Sequence, residues 1–213
     1  MLFTKGKDAV EFMESLTVAD VSSLPANQST LSLFTNQTGG IVDDLIITKT
    51  ANGSDLYVVS NAGCIEKDKQ LMEAKLSEFR SNGKDVQLAY LNGEFSLIAL
   101  QGPKAAAGLQ KLVNYDLKSQ YFMHSTLSKI LNSEVRITRC GYTGEDGFEI
   151  SIRNDKVNDL VDCLLSEFIM MKLYWEGFQS ISSLIRLDSN QTLLSRKRQR
   201  KAGWSGCSRF SAN

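Results

Sequence analysis

The segment Cys140–Ile150 combines three glycines with three acids in the sequence CGYTGEDGFEI. The glycines recur at every third position, from Gly141 to Gly147, and two of the acids lie between the last two of them. These residue types are compatible with a turn, a metal-binding loop, a phosphate-binding loop or one wall of a ligand pocket. The function of the segment therefore depends on the elements that flank it.

The position of this segment narrows the alternatives. It lies between two predicted strands, whereas P-loop and Rossmann sites need a helix N-terminus for the phosphate. The spacing of its acids does not match an EF-hand loop. Its glycines suit a hairpin in which the backbone needs positive φ or close approach. The pattern by itself puts Glu149 on the polar face of the following strand, opposite Phe148 and Ile150.

A second segment, GGIVDDLIIT, places two carboxylates in a predicted strand. Because side chains alternate along a strand, Asp43 and Asp44 point to opposite faces. Both faces are mostly apolar, and an unpaired carboxylate among aliphatic neighbours is costly. At least one of the two is therefore a candidate functional residue, unless both accept backbone hydrogen bonds at a strand end. Alternation does not choose between them.

These motifs belong to two similar passages of strands and helices, so the sequence predicts an α+β fold. Apolar residues at helical spacing predict a helix that starts at Ile65 and stops at Gly83, and a second from about Asp155 to Leu173. Shorter helices are predicted at Asp8–Leu16 and from Pro103. The predicted strands are Thr30–Thr35, Gly40–Thr50, Asp55–Ser60, Val86–Leu91, Ser96–Gly102, Glu134–Cys140 and Gly147–Ile152.

The composition of the 213 residues excludes several classes of function. The chain has no net charge and no long apolar run, which argues against nucleic-acid binding and membrane spanning. Its first residues match neither a signal peptide nor an Arg-rich transit peptide. Four widely separated cysteines and a single histidine, His124, argue against a zinc site and against a Ser-His-Asp enzyme. No metal is therefore expected.

Four blocks of the sequence together resemble the T-protein family of the glycine cleavage system, which are aminomethyltransferases. The blocks are LSLFTNQTGGIVDDLIITKT, LYVVSNAGCIEKD, ALQGPKA and RCGYTGEDGFEIS. Their order and spacing also resemble those of the family, from about Lys5 to Leu173. We therefore expect a first α+β unit at residues 1–84, a second at 85–178, and a divergent, poorly ordered basic tail at 179–213.

The resemblance implies transfer of a one-carbon unit from aminomethyl-lipoyl H-protein to tetrahydrofolate, with release of ammonia. Tetrahydrofolate would be a co-substrate and lipoylated H-protein the protein partner, with no metal, nucleic acid or membrane involved. Eukaryotic family members work in the mitochondrial matrix. No transit peptide is recognised in this chain, so the matrix location follows from the resemblance alone.

The resemblance also assigns five site residues. The family aspartate before the leucine of the G-G-x-x-D-D-L block matches Asp44, which is expected to be catalytic and to position or activate the attacking folate nitrogen. Val59 and Asn61 match a block that contacts the pterin, and Tyr142 and Glu149 match the glycine-rich block. A carboxylate can accept two N–H groups of a pterin, and an asparagine offers a donor and an acceptor. The glycine-rich hairpin is therefore predicted to form one wall of a folate pocket.

After Leu173 the chain departs from the family pattern. The family spacing puts Phe178 where a folate-binding arginine is expected, and nearby Arg186 is not assigned that role. The first strands of the family and its C-terminal barrel domain have no counterpart, so an incomplete form with little activity is expected. Two alternatives remain: a folate-binding non-enzyme similar to iron–sulfur-assembly homologues, whose K-G-C-type signature is not recognised here, and a truncated product that folds poorly.

Overall fold

The computed structural model describes residues 1–91, 93–173 and 184–188, with side chains described as far as residue 166. It contains two five-stranded sheets, each with helices packed against one face. Among these residues the strands pair antiparallel. The predicted α+β class is therefore confirmed.

The first sheet has the strand order β2-β3-β4-β1-β5 and is covered on one face by two helices. Alternate strand residues, including Leu45, Ile47 and Val58, pack against Phe12 and Met72 of those helices. The strands are β1 (Leu2–Lys5), β2 (Ser29–Thr35), β3 (Ile41–Lys49), β4 (Leu56–Ser60) and β5 (Gln87–Tyr90), and the helices are α1 (Ala9–Glu14) and α2 (Ile65–Ser81).

The second sheet repeats this arrangement with the strand order β10-β6-β9-β8-β7. Its core face carries Ile98, Ile137 and Ile150, which pack with Leu109 and Leu160 of the covering helices. The strands are β6 (Phe95–Gln101), β7 (Ser125–Ile130), β8 (Ser133–Thr138), β9 (Gly147–Arg153) and β10 (Leu184–Asp188), and the helices are α3 (Ala105–Gln110) and α4 (Val157–Leu173).

Four strands depart from the elements or boundaries expected from sequence. β1 and β7 were not predicted, because a short strand is specified mainly by its long-range partners. β5 pairs with β1, so the first sheet continues to Tyr90 and the expected division after residue 84 cuts through it. β10 lies within the segment expected to be a poorly ordered tail, yet it pairs with the edge of β6. The rest of that tail, residues 179–183 and 189–213, lies outside the described residues.

The two sheets meet through the faces that their helices leave uncovered. The guanidinium of Arg136 on β8 lies 5.0 Å from the ring centre of Tyr57 on β4 and 5.8 Å from that of Phe3 on β1. A main-chain hydrogen bond also joins the units: the Ser29 N–H group donates to the Met123 carbonyl at 2.7 Å. The faces carrying Tyr57 and Arg136 are therefore opposed.

Candidate functional site

The two carboxylates of β3 lie in different environments. Asp43 shares the core face with Leu45 and Ile47 and is only 8% exposed. Asp44 points to the opposite face and is exposed. Helices cover one face of the first sheet, and its other face is turned towards the second unit. Asp44 lies on this uncovered face. The sequence pattern had left the choice between the two acids open.

Asn61, which follows β4 directly, joins the two carboxylates. Its Nδ2 group donates to Asp44 Oδ1 at 2.7 Å and to Asp43 Oδ1 at 3.0 Å, while its backbone N–H donates to Asp43 Oδ2 at 3.3 Å. β4 is the neighbour of β3 in the sheet, with Ser60 opposite Leu45, and this register brings Asn61 beside both acids. Two predicted site residues, Asp44 and Asn61, are therefore in direct contact.

The hydrogen bonds from Asn61 determine the charge state of Asp43. Burial disfavours its carboxylate, but hydrogen bonds to that carboxylate, chiefly from the Asn61 amide, lower the pKa of Asp43 below its ordinary value. Asp43 is therefore an anion at neutral pH and can only accept hydrogen bonds. This requirement fixes the orientation of the Asn61 amide, with Nδ2 towards the two acids.

Val59 lies on the same face as Asp44. It pairs with Ile46 across the β3–β4 ladder, and Ile46 and Asp44 are two residues apart on one strand. Val59 is half-buried and next but one to Tyr57, the ring that contacts Arg136. The side chains of Val59 and Asp44 thus line one face near the junction of the two sheets.

The glycine-rich segment connects β8 and β9, as predicted, and its glycines have two different roles. Gly144 adopts φ +78°, a conformation that favours glycine. Gly141 and Gly147 instead pack against the buried side chain of Gln101, whose Oε1 would overlap a Cβ atom at either position. Both uses of glycine that the sequence suggested, positive φ and close approach, are therefore present.

A partly buried ion pair between Arg139 and Asp146 bridges the base of this hairpin. Arg139 donates through Nε to Asp146 Oδ1 at 2.9 Å and through Nη2 to Asp146 Oδ2 at 2.7 Å. Its Nη1 also donates to the carbonyls of Leu117 and Gln120, at 3.1 and 2.8 Å. A bidentate pair of this kind fixes orientation as well as distance. The loop that carries Tyr142 is therefore anchored at its base.

Tyr142 and Glu149 lie at different depths on this hairpin. Tyr142 sits in the loop and is 70% exposed. Glu149, on β9, is half-buried, and its charge raises the pKa of Tyr57 on the first sheet, a smaller effect than burial of that ring. Glu149 therefore lies near the same face of the first sheet that carries Val59, and it is not the solvent-facing residue that the strand pattern suggested.

One acidic residue of this region was not singled out from the sequence. Asp68 lies in the first turn of α2, is only 1% exposed, and is a close neighbour of Asp43. Among the described residues, no donor makes a hydrogen bond of normal geometry to either of its carboxylate oxygens. A helical pattern gives no signal for this, because Asp68 looks like an ordinary first-turn acid favoured by the helix dipole.

Comparison with known proteins identifies the family. The model of the GCVT N-terminal domain family matches residues 2–196, which is most of the chain. The chain belongs to the GCVT N-terminal domain family. The match extends past Leu173, the point at which the recognised family motifs end.

Members of the GCVT family with assigned names include close relatives of this chain. It is 55% identical over 155 residues to the mitochondrial aminomethyltransferase of Homo sapiens, covering 71% of this chain and 38% of that protein. The mitochondrial aminomethyltransferase of Solanum tuberosum is 43% identical over 166 residues, with coverage of 78% and 40%. The chain thus spans about two fifths of the length of these relatives.

A solved structure of the GCVT family has the same fold. The glycine cleavage system aminomethyltransferase T from Bartonella henselae superposes with a TM-score of 0.66 at 34% sequence identity, covering 77% of this chain and 42% of that one. This part of the chain therefore shares its fold with a solved aminomethyltransferase T.

Two other features are absent from the part of the chain that the structure describes. No group of three or more His, Cys, Asp or Glu side chains there could hold a metal ion. No helix there is long and apolar enough to cross a membrane.

Proposed function

We propose that this chain forms the folate-binding region of an aminomethyltransferase of the glycine cleavage system. The observation that carries the proposal is the hydrogen-bonded pair Asp44–Asn61 on the uncovered face of the first sheet. Relatives from animals and plants named mitochondrial aminomethyltransferase support it. The same names do not favour the alternative of an iron–sulfur-assembly homologue.

The reaction proposed is transfer of the aminomethyl carbon from the lipoyl arm of H-protein to tetrahydrofolate. The carbon–sulfur and carbon–nitrogen bonds of the aminomethyl group break, and two carbon–nitrogen bonds to the folate form. Of the two folate N–H protons, one goes to the lipoyl sulfur and the other leaves with ammonia. The products are methylenetetrahydrofolate, dihydrolipoyl H-protein and ammonia. The transfer needs neither a metal nor an oxidant.

Each site residue has a role that follows from its chemistry. Asp44, exposed and held by Asn61, accepts a hydrogen bond from the attacking folate N–H and orients that nitrogen. The Asn61 amide, with Nδ2 committed to the acids, offers its Oδ1 atom to a pterin donor. Glu149, which lies on the second unit, accepts hydrogen bonds from pterin N–H groups. Val59 supplies apolar surface, and Tyr142 supplies a ring for stacking.

The proposal includes the partners and the compartment of the reaction. Lipoylated H-protein delivers the one-carbon unit, and tetrahydrofolate accepts it. The mitochondrial matrix is the proposed location, in keeping with the mitochondrial names of the relatives. No nucleic acid, membrane or metal takes part in the proposed reaction.

Titration of tetrahydrofolate into the purified chain by calorimetry tests the proposal. Asp44→Asn should weaken binding by about tenfold or more, because a hydrogen bond to a charged group contributes about 1.5–3 kcal/mol. Asp159→Asn, which removes an exposed acid of α4, is the matched control and should leave the affinity unchanged. Absence of folate binding, or equal affinities for wild type and Asp44→Asn, would refute the assignment.

A further inference from the structure

The buried acid Asp68 has a position that packing does not account for. It is 1% exposed, and neither of its carboxylate oxygens has a hydrogen-bond donor of normal geometry among the described residues. A buried acid destabilises a fold when it ionises unless nearby groups compensate its charge, and Ser60 and Lys67 compensate that of Asp68 only in part. Groups of this kind concentrate at functional sites, where function rather than stability retains them.

A chain of contacts leads from Asp68 to the candidate site. Asp68 on α2 neighbours Asp43 on β3, and Asp43 accepts two hydrogen bonds from Asn61, at 3.0 Å from Nδ2 and at 3.3 Å from the backbone. The same Nδ2 group donates to Asp44 at 2.7 Å. The helix-covered face of the sheet is therefore linked to the exposed carboxylate through one amide.

We infer that Asp68 and Asp43 form a carboxyl pair behind Asn61 that sets the position and the acceptor strength of the Asp44 carboxylate. The inference rests on the proposed function, because Asp44 is the group assigned there to the folate nitrogen. Asp43 holds the Asn61 amide so that Nδ2 also reaches Asp44. A charge on Asp68 adds negative potential behind this amide. Asp68 and Asp43 are thus positioning residues, with no contact to folate assigned to either.

The carboxyl pair changes its charge near neutral pH. Burial, and next the neighbouring Asp43, raise the pKa of Asp68 to about 6, while Ser60 and Lys67 oppose this effect in part. Cys64, on the turn before α2, is a further titratable group beside Asp43. Above the pKa of Asp68 the pair carries two negative charges instead of one.

The second charge strengthens the site carboxylate as an acceptor. The added negative potential attracts a donor N–H towards the face that carries Asp44, so folate binds more strongly there once Asp68 has ionised. Folate affinity should therefore increase with pH across the pKa of Asp68. A purely structural role for Asp68 predicts no such profile.

The first test needs no ligand and follows the Asn61 side-chain amide by ¹⁵N–¹H NMR from about pH 5 to about pH 8. In the wild type, the Nδ2 resonances should shift with a midpoint near pH 6, the pKa of Asp68. Asp68→Asn should abolish this shift, and Asp159→Asn should preserve it. Resonances that do not move with pH, or that move equally in Asp68→Asn, would overturn the inference.

The second test measures tetrahydrofolate affinity by calorimetry over the same pH range. Wild-type affinity should increase by about three- to tenfold with pH, on the scale expected for one added nearby charge. Asp68→Asn should match the wild type at the acid end, bind more weakly at the alkaline end, and remain fully folded. Titration of the ligand itself affects both proteins equally. The difference between their two pH profiles of affinity therefore reports the charge of the Asp68–Asp43 pair.

The two tests separate failure of the inference from failure of the proposed function. Folate binding that is lost in Asp44→Asn but has the same pH profile in wild type and Asp68→Asn overturns the inference alone. A chain that does not bind folate overturns the proposed function, and the Asn61 resonances then still decide whether the carboxyl pair acts on the amide. Folate binding with the expected difference in profile supports both.

Discussion

Replacement of Asp68 by asparagine should stabilise the protein at neutral pH. The carboxyl group of Asp68 is 1% exposed and has a pKa of about 6, compared with about 3.9 for an aspartate in an unfolded chain. Because the folded pKa is the higher one, the stability contributed by this proton is complete below about pH 4 and is lost as pH rises through 6. Asparagine is uncharged throughout and has almost the same shape.

The size of the effect follows from the pKa difference. One pKa unit corresponds to about 1.4 kcal/mol, so ionisation of Asp68 lowers the free energy of unfolding by about 3 kcal/mol at pH 7.5. Asp68→Asn should recover most of this free energy, which corresponds to an increase in Tm of roughly 6–12 °C for a chain of this size. At about pH 4 the two proteins should have similar stability, because wild-type Asp68 is then protonated.

Thermal and urea unfolding of both proteins at about pH 4, 6 and 7.5 measure the difference. Glu66→Gln removes an exposed acid from the same turn of α2 and is the matched control, with an expected effect within about 1 kcal/mol at every pH. A stability difference that is the same at acid and neutral pH, or a destabilised Asp68→Asn, would show that Asp68 is not a buried acid that ionises at a cost.

Three further predictions concern the site and its hairpin. Asp44→Asn should weaken tetrahydrofolate binding while leaving Tm unchanged, whereas Asp43→Asn should lower Tm because the Asn61 amide and backbone N–H groups lose the buried carboxylate that accepts them; calorimetry and melting curves in the reverse pattern would contradict this. Arg139→Gln should destabilise the fold by about 2–3 kcal/mol and increase proteolysis of the hairpin, since it removes the bidentate pair; an unchanged urea midpoint would count against the anchoring role. Gly147→Ala should cost about 1–3 kcal/mol through overlap with a buried side chain, while Gly63→Ala, which has open space, should cost less than 1; equal costs would refute the packing argument.

The sequence by itself determined most of the local structure. Helical spacing from Ile65 and the stop at Gly83 predicted α2, which is Ile65–Ser81 in the structure. The glycine-rich segment between two strands predicted a hairpin, since its residues suit turns and close approach. These features depend on neighbours in the chain, and local sequence is sufficient to specify them.

Tertiary structure decided which of the two adjacent aspartates is exposed. Alternation placed Asp43 and Asp44 on opposite faces, but only the packing of α1 and α2 shows that the Asp43 face is the covered one. The contact of Asp43 with Asp68 likewise joins β3 to a helix that follows it later in the chain. The strand β1 was missed for the same reason, because four residues gain their stability from ladders with β4 and β5. Long-range packing sets burial, and burial sets the charge of the acids around Asn61, so the electrostatics of the site follow from the fold and not from any single segment.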